Sequence, residues 1–109
     1  MGTTITTTDR DTVLSRCKWH ADSGHEWLQV PLFMARKAHE ADKANGGNGI
    51  STFSYIKGTN AYLEGDCDAA LFLTYLGATD CEAWNTIHAN GVALYSNLAP
   101  LRNYPRWEA

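Results

Sequence analysis

The densest group of side chains that could do chemistry lies in the seven residues from His20 to Glu26. Imidazole and carboxylate groups are common ligands of divalent metals, so His20, Asp22 and His25 are candidates for a metal-dependent enzyme site. The five-residue offset between the two histidines is not a usual zinc spacing, however. Asp22-Ser23-Gly24 is instead typical of a tight turn. Polar turn residues are the simpler interpretation, and the sequence predicts no metal and no cofactor.

Three cysteines give an odd number, and they show no CxxC or Cys/His metal spacing. No secretory signal is visible, so a reducing cytoplasm is the expected compartment. Cys17, Cys67 and Cys81 are therefore predicted to be buried free thiols. Cys67 lies between Asp66 and Asp68, whose charges disfavour a thiolate nucleophile. No catalytic residue is predicted.

The formal charge of -3 is unevenly distributed. Between Lys57 and Arg102 there is no Lys or Arg, and the five carboxylates of that segment give it a charge of -5. The remainder carries nine cations and seven carboxylates, hence +2. Such a surface attracts cationic partners and repels phosphate, which argues against direct nucleic-acid binding. The simpler alternative is that these acids cap helix N-termini.

A partner-binding surface is predicted from these acids together with the aromatic C-terminal tail. Its predicted residues are Glu64, Asp66, Asp68, Glu82, Tyr104 and Trp107. Trp and Tyr dominate the hot spots of protein interfaces, and Trp107 is expected to be the least buried of the four tryptophans. Packing of the tail onto its own domain is the alternative. No apolar stretch is long enough to span a membrane, so no membrane partner is predicted.

The elements that must position these residues are read from periodicity and turn chemistry. Residues 1–11 are predicted as a flexible lead-in, and residues 12–109 as one domain with an irregular tail from about residue 97. The predicted elements are a half-buried strand over 12–20, strand 27–30, helix 32–44, strands 50–56 and 61–64, a helix that begins at Asp66 or Asp68 and ends at Leu76, a helix over 79–89, and a last strand over 92–95. This order predicts an α+β fold, in which two to three helices pack on one face of an antiparallel sheet of four to five strands.

Several side chains are assigned within these elements. Pro31 fits the start of the first long helix, and Phe33 is placed on its inward face. Leu73 is placed on the buried side of the apolar helix that Gly77 closes. Thr79 is expected to cap the next helix through a capping box with Glu82. Across the second hairpin, Tyr55 and Tyr62 are expected to be neighbours.

Three segments, taken in order, resemble a small uncharacterised domain of bacteria, plasmids and phages. They are His25–Pro31, Ile50–Tyr55 and Tyr62–Ala69, set against the patterns H-x-W-L-x-V-P, I-S-x-Y-S-Y and Y-L-E-E-D-x-D-A before an apolar helix. The match covers about residues 19–76, with Phe53 and Gly65 departing from the pattern. The resemblance implies a compact α+β domain in a mobile-element setting, and it supplies no catalytic residue.

Three classes of function remain open from the sequence. The first is a non-enzymatic phage or plasmid protein that inhibits a host defence complex, of the anti-CRISPR or antirestriction type, through the acidic and aromatic surface. In it, carboxylates would stand in for phosphates on a basic protein surface in the host cytoplasm. The second is a small metal-dependent enzyme that uses His20, Asp22 and His25. The third is a structural or regulatory homodimer that uses an exposed sheet edge.

Overall fold

The computed structural model describes residues 7–108, which form four α-helices, five β-strands and one 3₁₀ turn. In chain order these are α1 (Thr7–Leu14), β1 (Lys18–Ala21), β2 (Glu26–Pro31), α2 (Leu32–Ala44), β3 (Tyr55–Lys57), β4 (Asn60–Glu64), α3 (Asp68–Leu76), α4 (Cys81–His88), β5 (Val92–Leu94) and the turn Pro100–Asn103. The α+β fold predicted from the sequence is confirmed.

The five strands form one sheet in the order β3-β4-β2-β1-β5. The β1–β2 and β3–β4 hairpins and the central β2–β4 pair are antiparallel. β5 is parallel to β1, so the prediction of a wholly antiparallel sheet is wrong in this detail. Antiparallel pairing follows from a tight turn, whereas β5 returns to the sheet after two helices and enters in the direction of β1.

The two faces of the sheet are covered differently. The helices cover one face, as predicted, and its core contains Trp19, Leu28, Val30, Leu63 and Phe72. The C-terminal tail covers the other face, where a smaller apolar cluster forms. Its buried members are Trp27, Tyr55, Tyr62, Ala99 and Leu101. The tail is thus the second covering layer of the sheet.

The N-terminal part differs from the prediction of a strand over 12–20. Thr7–Leu14 is helical, and within the predicted strand only Lys18–Ala21 is extended. Leu14 and Cys17 are both buried, at a three-residue spacing that suits a helical turn better than the alternation that predicted a strand. Residues 7–11 of the predicted lead-in belong to α1, and the rest of that segment lies outside the described residues.

The two longest helices match the predicted bounds, and α3 takes the later of its two predicted starts, Asp68. α2 begins directly after Pro31, and Gly77 closes α3 in the left-handed conformation with φ 67°. The predicted inward side chains are partly wrong, because Phe33 is exposed and Leu73 is only partly buried. Phe72 takes the fully buried position of α3 instead. Among the described helices, none is long and apolar enough to cross a membrane.

Two local predictions are only partly right. The strand predicted over 50–56 is extended only at Tyr55–Lys57, although Tyr55 does lie opposite Tyr62 as expected. The cap of α4 is Asp80 rather than Thr79, since the Asp80 carboxylate accepts the Ala83 N–H at 2.8 Å. Asp and Thr are both good N-caps, and the helix starts one residue later than the capping box implied.

The tail wraps around the β3 edge of the sheet. The Ile56 N–H donates to the Pro105 carbonyl at 2.7 Å, and the Trp107 N–H donates to the Ser54 carbonyl at 2.8 Å. Tyr55 and Arg106 form an isolated antiparallel bridge between these two bonds. The outward N–H of Ile56 and the Ser54 carbonyl just before β3 are therefore paired within the chain.

Candidate functional site

The pairing of β2 with β4 brings two acidic loops together at one end of the sheet. Trp27 lies opposite Glu64, and beyond this pair the Gly65 N–H donates to the Glu26 carbonyl at 2.9 Å. Glu26 ends the β1–β2 turn, while Glu64 and Asp66 belong to the end of β4 and the loop after it. The register of the two strands therefore places carboxylates from both loops side by side.

These loops line an open pocket of about 330 Å³, here called the acidic pocket. Its walls are residues 21–26 and 64–66. Within residues 7–108, no cation lies at ion-pair distance from Glu26, Glu64 or Asp66. The Glu64 carboxylate accepts the Asp66 N–H at 2.6 Å, which fixes the loop without forming an ion pair. Three unpaired carboxylates on one concave surface attract a cationic group.

Gly65 permits this close approach. A Cβ atom at this position would lie 2.6 Å from the Glu26 Cγ and 3.1 Å from the Glu26 carbonyl oxygen. Real Cβ atoms essentially never show contacts as short as the first of these, so any larger residue would displace the Glu26 side chain. Gly65 is one of the two departures from the pattern that the chain resembles. In this chain it lets the two acidic loops meet.

A second pocket of about 210 Å³, here called the aromatic pocket, shares His25 and Glu64 with the acidic pocket. Two guanidinium groups lie over aromatic rings there: Arg102 is 5.0 Å from the Trp27 ring centre, and Arg106 is 5.6 Å from that of Tyr55. The rest of its lining comes from Trp27, Phe53 and Tyr55. Together the two pockets form one groove that is acidic at one end and aromatic with arginines at the other.

The ion pair of Asp22 and Arg102 joins the β1–β2 turn to the tail. The Asp22 side chain is fully enclosed and accepts bonds from Arg102 Nε at 2.6 Å and Nη2 at 2.9 Å. The N–H groups of Ala99, Gly24 and His25 also donate to it. The Arg102 guanidinium, and to a lesser extent these backbone donors, hold the pKa of Asp22 far below its ordinary value, although burial acts in the opposite direction.

Stability is expected to fall in acid because of this pair. The pKa of Asp22 is lowered from an ordinary value of 3.8, so its stabilisation is complete at neutral pH and is lost as pH falls below that value. Asp22→Asn is expected to melt below wild type at neutral pH but to lose less between about pH 4 and pH 2. Thermal unfolding followed by circular dichroism across pH measures this. Asp66→Asn, at an exposed site, should keep the wild-type slope; an equally steep Asp22→Asn curve would contradict the assignment.

Asp68 is not part of the exposed acidic surface, contrary to the sequence prediction. It is buried at 3% exposure, and one carboxylate oxygen accepts three bonds: from the Ser51 N–H at 3.1 Å and from the Ser51 and Ser54 hydroxyls at 2.6 Å each. The Ser54 oxygen in turn accepts the Glu64 N–H at 2.9 Å. Asp68 therefore supports the backbone of Glu64 from beneath the groove.

The other predicted partner-binding residues are separated from the groove. Glu82 is exposed on α4, whose main contacts are with α1 and β1. Tyr104 is half-buried against Tyr62, with Lys57 Nζ 5.2 Å from its ring centre. Neither lines the acidic or the aromatic pocket. The predicted surface is thus brought together only at Glu64 and Asp66.

Trp107 is buried rather than exposed, because the tail carries it around the β3 edge. It is 5% exposed and lies against His39, with ring centres 5.4 Å apart. The most exposed tryptophan is Trp84, at 54%. The alternative in which the tail packs onto its own domain is therefore the correct one, and Trp107 is not available as a surface residue.

The candidate metal site of the β1–β2 turn is not assembled. His20 is half-buried, and its ring nitrogens bond the Tyr95 hydroxyl at 2.9 Å and the Gln29 Oε1 at 2.7 Å. Burial lowers the pKa of His20, which favours the neutral ring. Asp22 is engaged by Arg102. Over residues 7–108, no three His, Cys, Asp or Glu side chains are grouped so as to hold a metal ion.

The cysteines are only partly as predicted. Cys17 is buried, and burial raises its pKa to about 12, which keeps the thiol protonated. Cys67 and Cys81 are free but exposed, so the prediction of three buried thiols is wrong for these two. Both lie at the starts of helices, where the chain turns at the protein surface.

Sequence reasoning missed half of the groove. The sequence places Glu26 in the His20–Glu26 group of turn residues and potential metal ligands, and it places Arg102 and Arg106 in an irregular tail. Their meeting depends on strand register and on the path of the tail, for which the sequence carries no local signal. His25 and Trp27, in the H-x-W segment of the resemblance, were the available hint. The chain matches no protein-family model, no curated protein and no solved structure.

Proposed function

We propose that this protein is a non-enzymatic binding protein whose groove takes a basic segment of another protein. The observation that carries the proposal is the convergence of Glu26, Glu64 and Asp66 on one pocket with no cation of the described chain paired to them. Unpaired like charges on a concave surface destabilise the free protein. A cationic partner relieves this repulsion, so binding is favoured by charge complementarity.

The aromatic pocket supports the same proposal. Phe53 is 68% exposed beside the buried ring of Trp27, so an apolar contact is available next to the carboxylates. Lys and Arg side chains combine an apolar stem with a charged head, and they suit a groove with both features. Arg102 and Arg106 already hold the rings of Trp27 and Tyr55 in place, so these side chains lose little conformational freedom when a partner binds.

The partner class that we propose is a subunit of a host defence complex, of the type inhibited by anti-CRISPR or antirestriction proteins, in the cytoplasm of a bacterial host. A protein surface that holds nucleic-acid phosphates is basic, and carboxylates in the groove would occupy the place of phosphates there. The small size of the chain, its net charge of -3 and its resemblance to a mobile-element domain support this choice.

The test compares charge reversals inside and outside the groove. The probe is a labelled oligoarginine peptide, whose affinity is measured by fluorescence anisotropy at low salt. Glu64→Lys and Glu26→Lys are expected to weaken binding by about tenfold or more, since each places a cation in the pocket. Glu40→Lys is the matched control, because Glu40 is exposed on α2 and the net charge changes equally. It is expected to change the affinity by less than about threefold.

Melting curves of all variants show whether a variant that binds weakly is still folded. Wild-type binding should also weaken as salt rises, since the Debye length falls from about 10 Å at 0.1 M to about 3 Å at 1 M. In a host lysate, tagged wild type and Glu40→Lys should retain the same basic protein, and Glu64→Lys should lose it. Equal weakening by all three reversals would show that only net charge matters, and would reject the groove as the binding site.

A further inference from the structure

Arg106 is held at the aromatic end of the groove by two contacts, and neither is with a carboxylate. Its Nη1 donates to the Thr52 carbonyl at 2.8 Å, and its guanidinium lies 5.6 Å from the centre of the Tyr55 ring. Over residues 7–108, no Asp or Glu side chain lies at ion-pair distance from Arg106. A guanidinium has five N–H donors, so Arg106 has donors available to an acceptor in the aromatic pocket.

Glu64 lines the same pocket as the two arginines, yet the opposite charges do not meet. In the described chain Glu64 is at ion-pair distance from neither Arg102 nor Arg106. Arg102 is held by Asp22 instead, and the Glu64 carboxylate is held by the Asp66 N–H. The undescribed residues 1–6 and 109 carry no charged side chain that could neutralise either sign. A pocket of about 210 Å³ therefore presents both signs of charge without an ion pair between the residues that line it.

We infer that the aromatic pocket binds a carboxylate of the same partner segment whose basic residues enter the acidic pocket. The groove then recognises a basic stretch that has an acidic residue beside it. This inference rests on the proposed function and specifies the sequence of the partner segment. The planar guanidinium of Arg106 matches the geometry of a carboxylate, and its contacts with Thr52 and Tyr55 fix it before binding.

The charges of the aromatic pocket suit a carboxylate better than a phosphate. Arg102 is already neutralised by Asp22, so Arg106 is the one cation of the pocket that lacks a carboxylate partner in the described chain. Glu64 forms part of the wall, and it repels a phosphate, with nearly two negative charges, more strongly than a carboxylate with one. One unpaired cation beside one wall carboxylate therefore favours a singly charged ligand.

The test uses end-blocked peptides that differ in one residue. Each contains four arginines, and a Glu or its neutral isostere Gln is placed either before or after them, so that both directions of the bound segment are covered. Wild type is expected to bind one of the two Glu peptides about threefold or more tightly than its Gln counterpart, by fluorescence anisotropy at low salt. Attraction to the acidic pocket alone gives the opposite order, because Glu lowers the positive charge of the peptide.

Arg106→Gln is expected to abolish the preference for Glu, while its affinity for the Gln peptides should not fall. Arg36→Gln is the matched control, because it removes the same charge from an equivalent setting outside both pockets. Arg36 lies 5.8 Å from the Trp107 ring centre and donates to the Glu108 carbonyl at 3.2 Å. It should keep the wild-type preference. Melting curves check that both variants are folded, and the comparison of peptides on wild type needs no substitution in the protein.

The possible results distinguish this inference from the proposed function. Equal affinity of wild type for the Glu and Gln peptides, in both positions, would overturn the inference and leave the proposed function in place. A preference for Glu that survives in Arg106→Gln would also overturn it. A phosphoserine peptide that gains more affinity than the Glu peptide would contradict the assignment of a carboxylate. If wild type binds none of the peptides, the proposed function fails, and the inference fails with it.

Discussion

Phe72→Ala is expected to lower the free energy of unfolding by about 3–5 kcal/mol. The Phe72 side chain is fully buried in the centre of α3 and belongs to the core between the helices and the sheet. Its removal loses the transfer free energy of the ring and leaves a cavity that the surrounding side chains fill only in part. This is a large share of the 5–15 kcal/mol that stabilises a typical domain. Denaturant unfolding at 25 °C measures it.

Leu73→Ala is the neighbouring control. Leu73 packs against the same core but stays partly exposed, so its truncation is expected to cost at most about 1.5 kcal/mol. The two variants differ by one position on one helix, so helix propensity contributes little to the comparison. A larger loss for Leu73→Ala than for Phe72→Ala would show that α3 is rotated about its axis relative to the structure described above.

Asp68→Ala is expected to destabilise the protein by about 3 kcal/mol, because three hydrogen-bond donors that the Asp68 carboxylate accepts would lose their acceptor. These are the N–H and hydroxyl of Ser51 and the hydroxyl of Ser54, of which Ser54 is fully buried. Hydrogen bonds to a charged group are worth more than neutral ones, and a buried donor without a partner keeps its full desolvation cost. Chemical denaturation at neutral pH gives the value.

Asp66→Ala is the matched control for this change, since Asp66 is two residues away and exposed. It is expected to change stability by less than about 0.5 kcal/mol. The two variants also distinguish a residue that supports the groove from beneath, Asp68, from one that lines it, Asp66. Asp68→Ala should weaken oligoarginine binding through the displaced Ser54–Glu64 bond, with a lower melting temperature, whereas Asp66→Ala should weaken it with an unchanged one. Equal stability of the two variants would contradict the buried network.

The sequence determined those parts of the protein that a few neighbouring residues encode. Pro31 before a run of good helix formers specifies where α2 begins, because the proline ring restricts φ to a helical value. Gly77 specifies where α3 ends, because glycine can adopt a positive φ. Both are properties of a single residue. The β1–β2 and β3–β4 hairpins follow in the same way from their turn residues. The α+β class could be predicted because these elements alternate in a limited number of ways.

Only the tertiary structure decided which side chains face the solvent and which charges meet. Asp66 and Asp68 are alike in the sequence, yet one lines a pocket and the other is buried, because two serines fourteen or more residues away turn toward Asp68. Glu26 reaches Glu64 through the register of β2 on β4. Trp107 is buried because the tail passes around β3. Burial depends on contacts between distant segments, each worth only about 1 kcal/mol, and no local pattern records their sum.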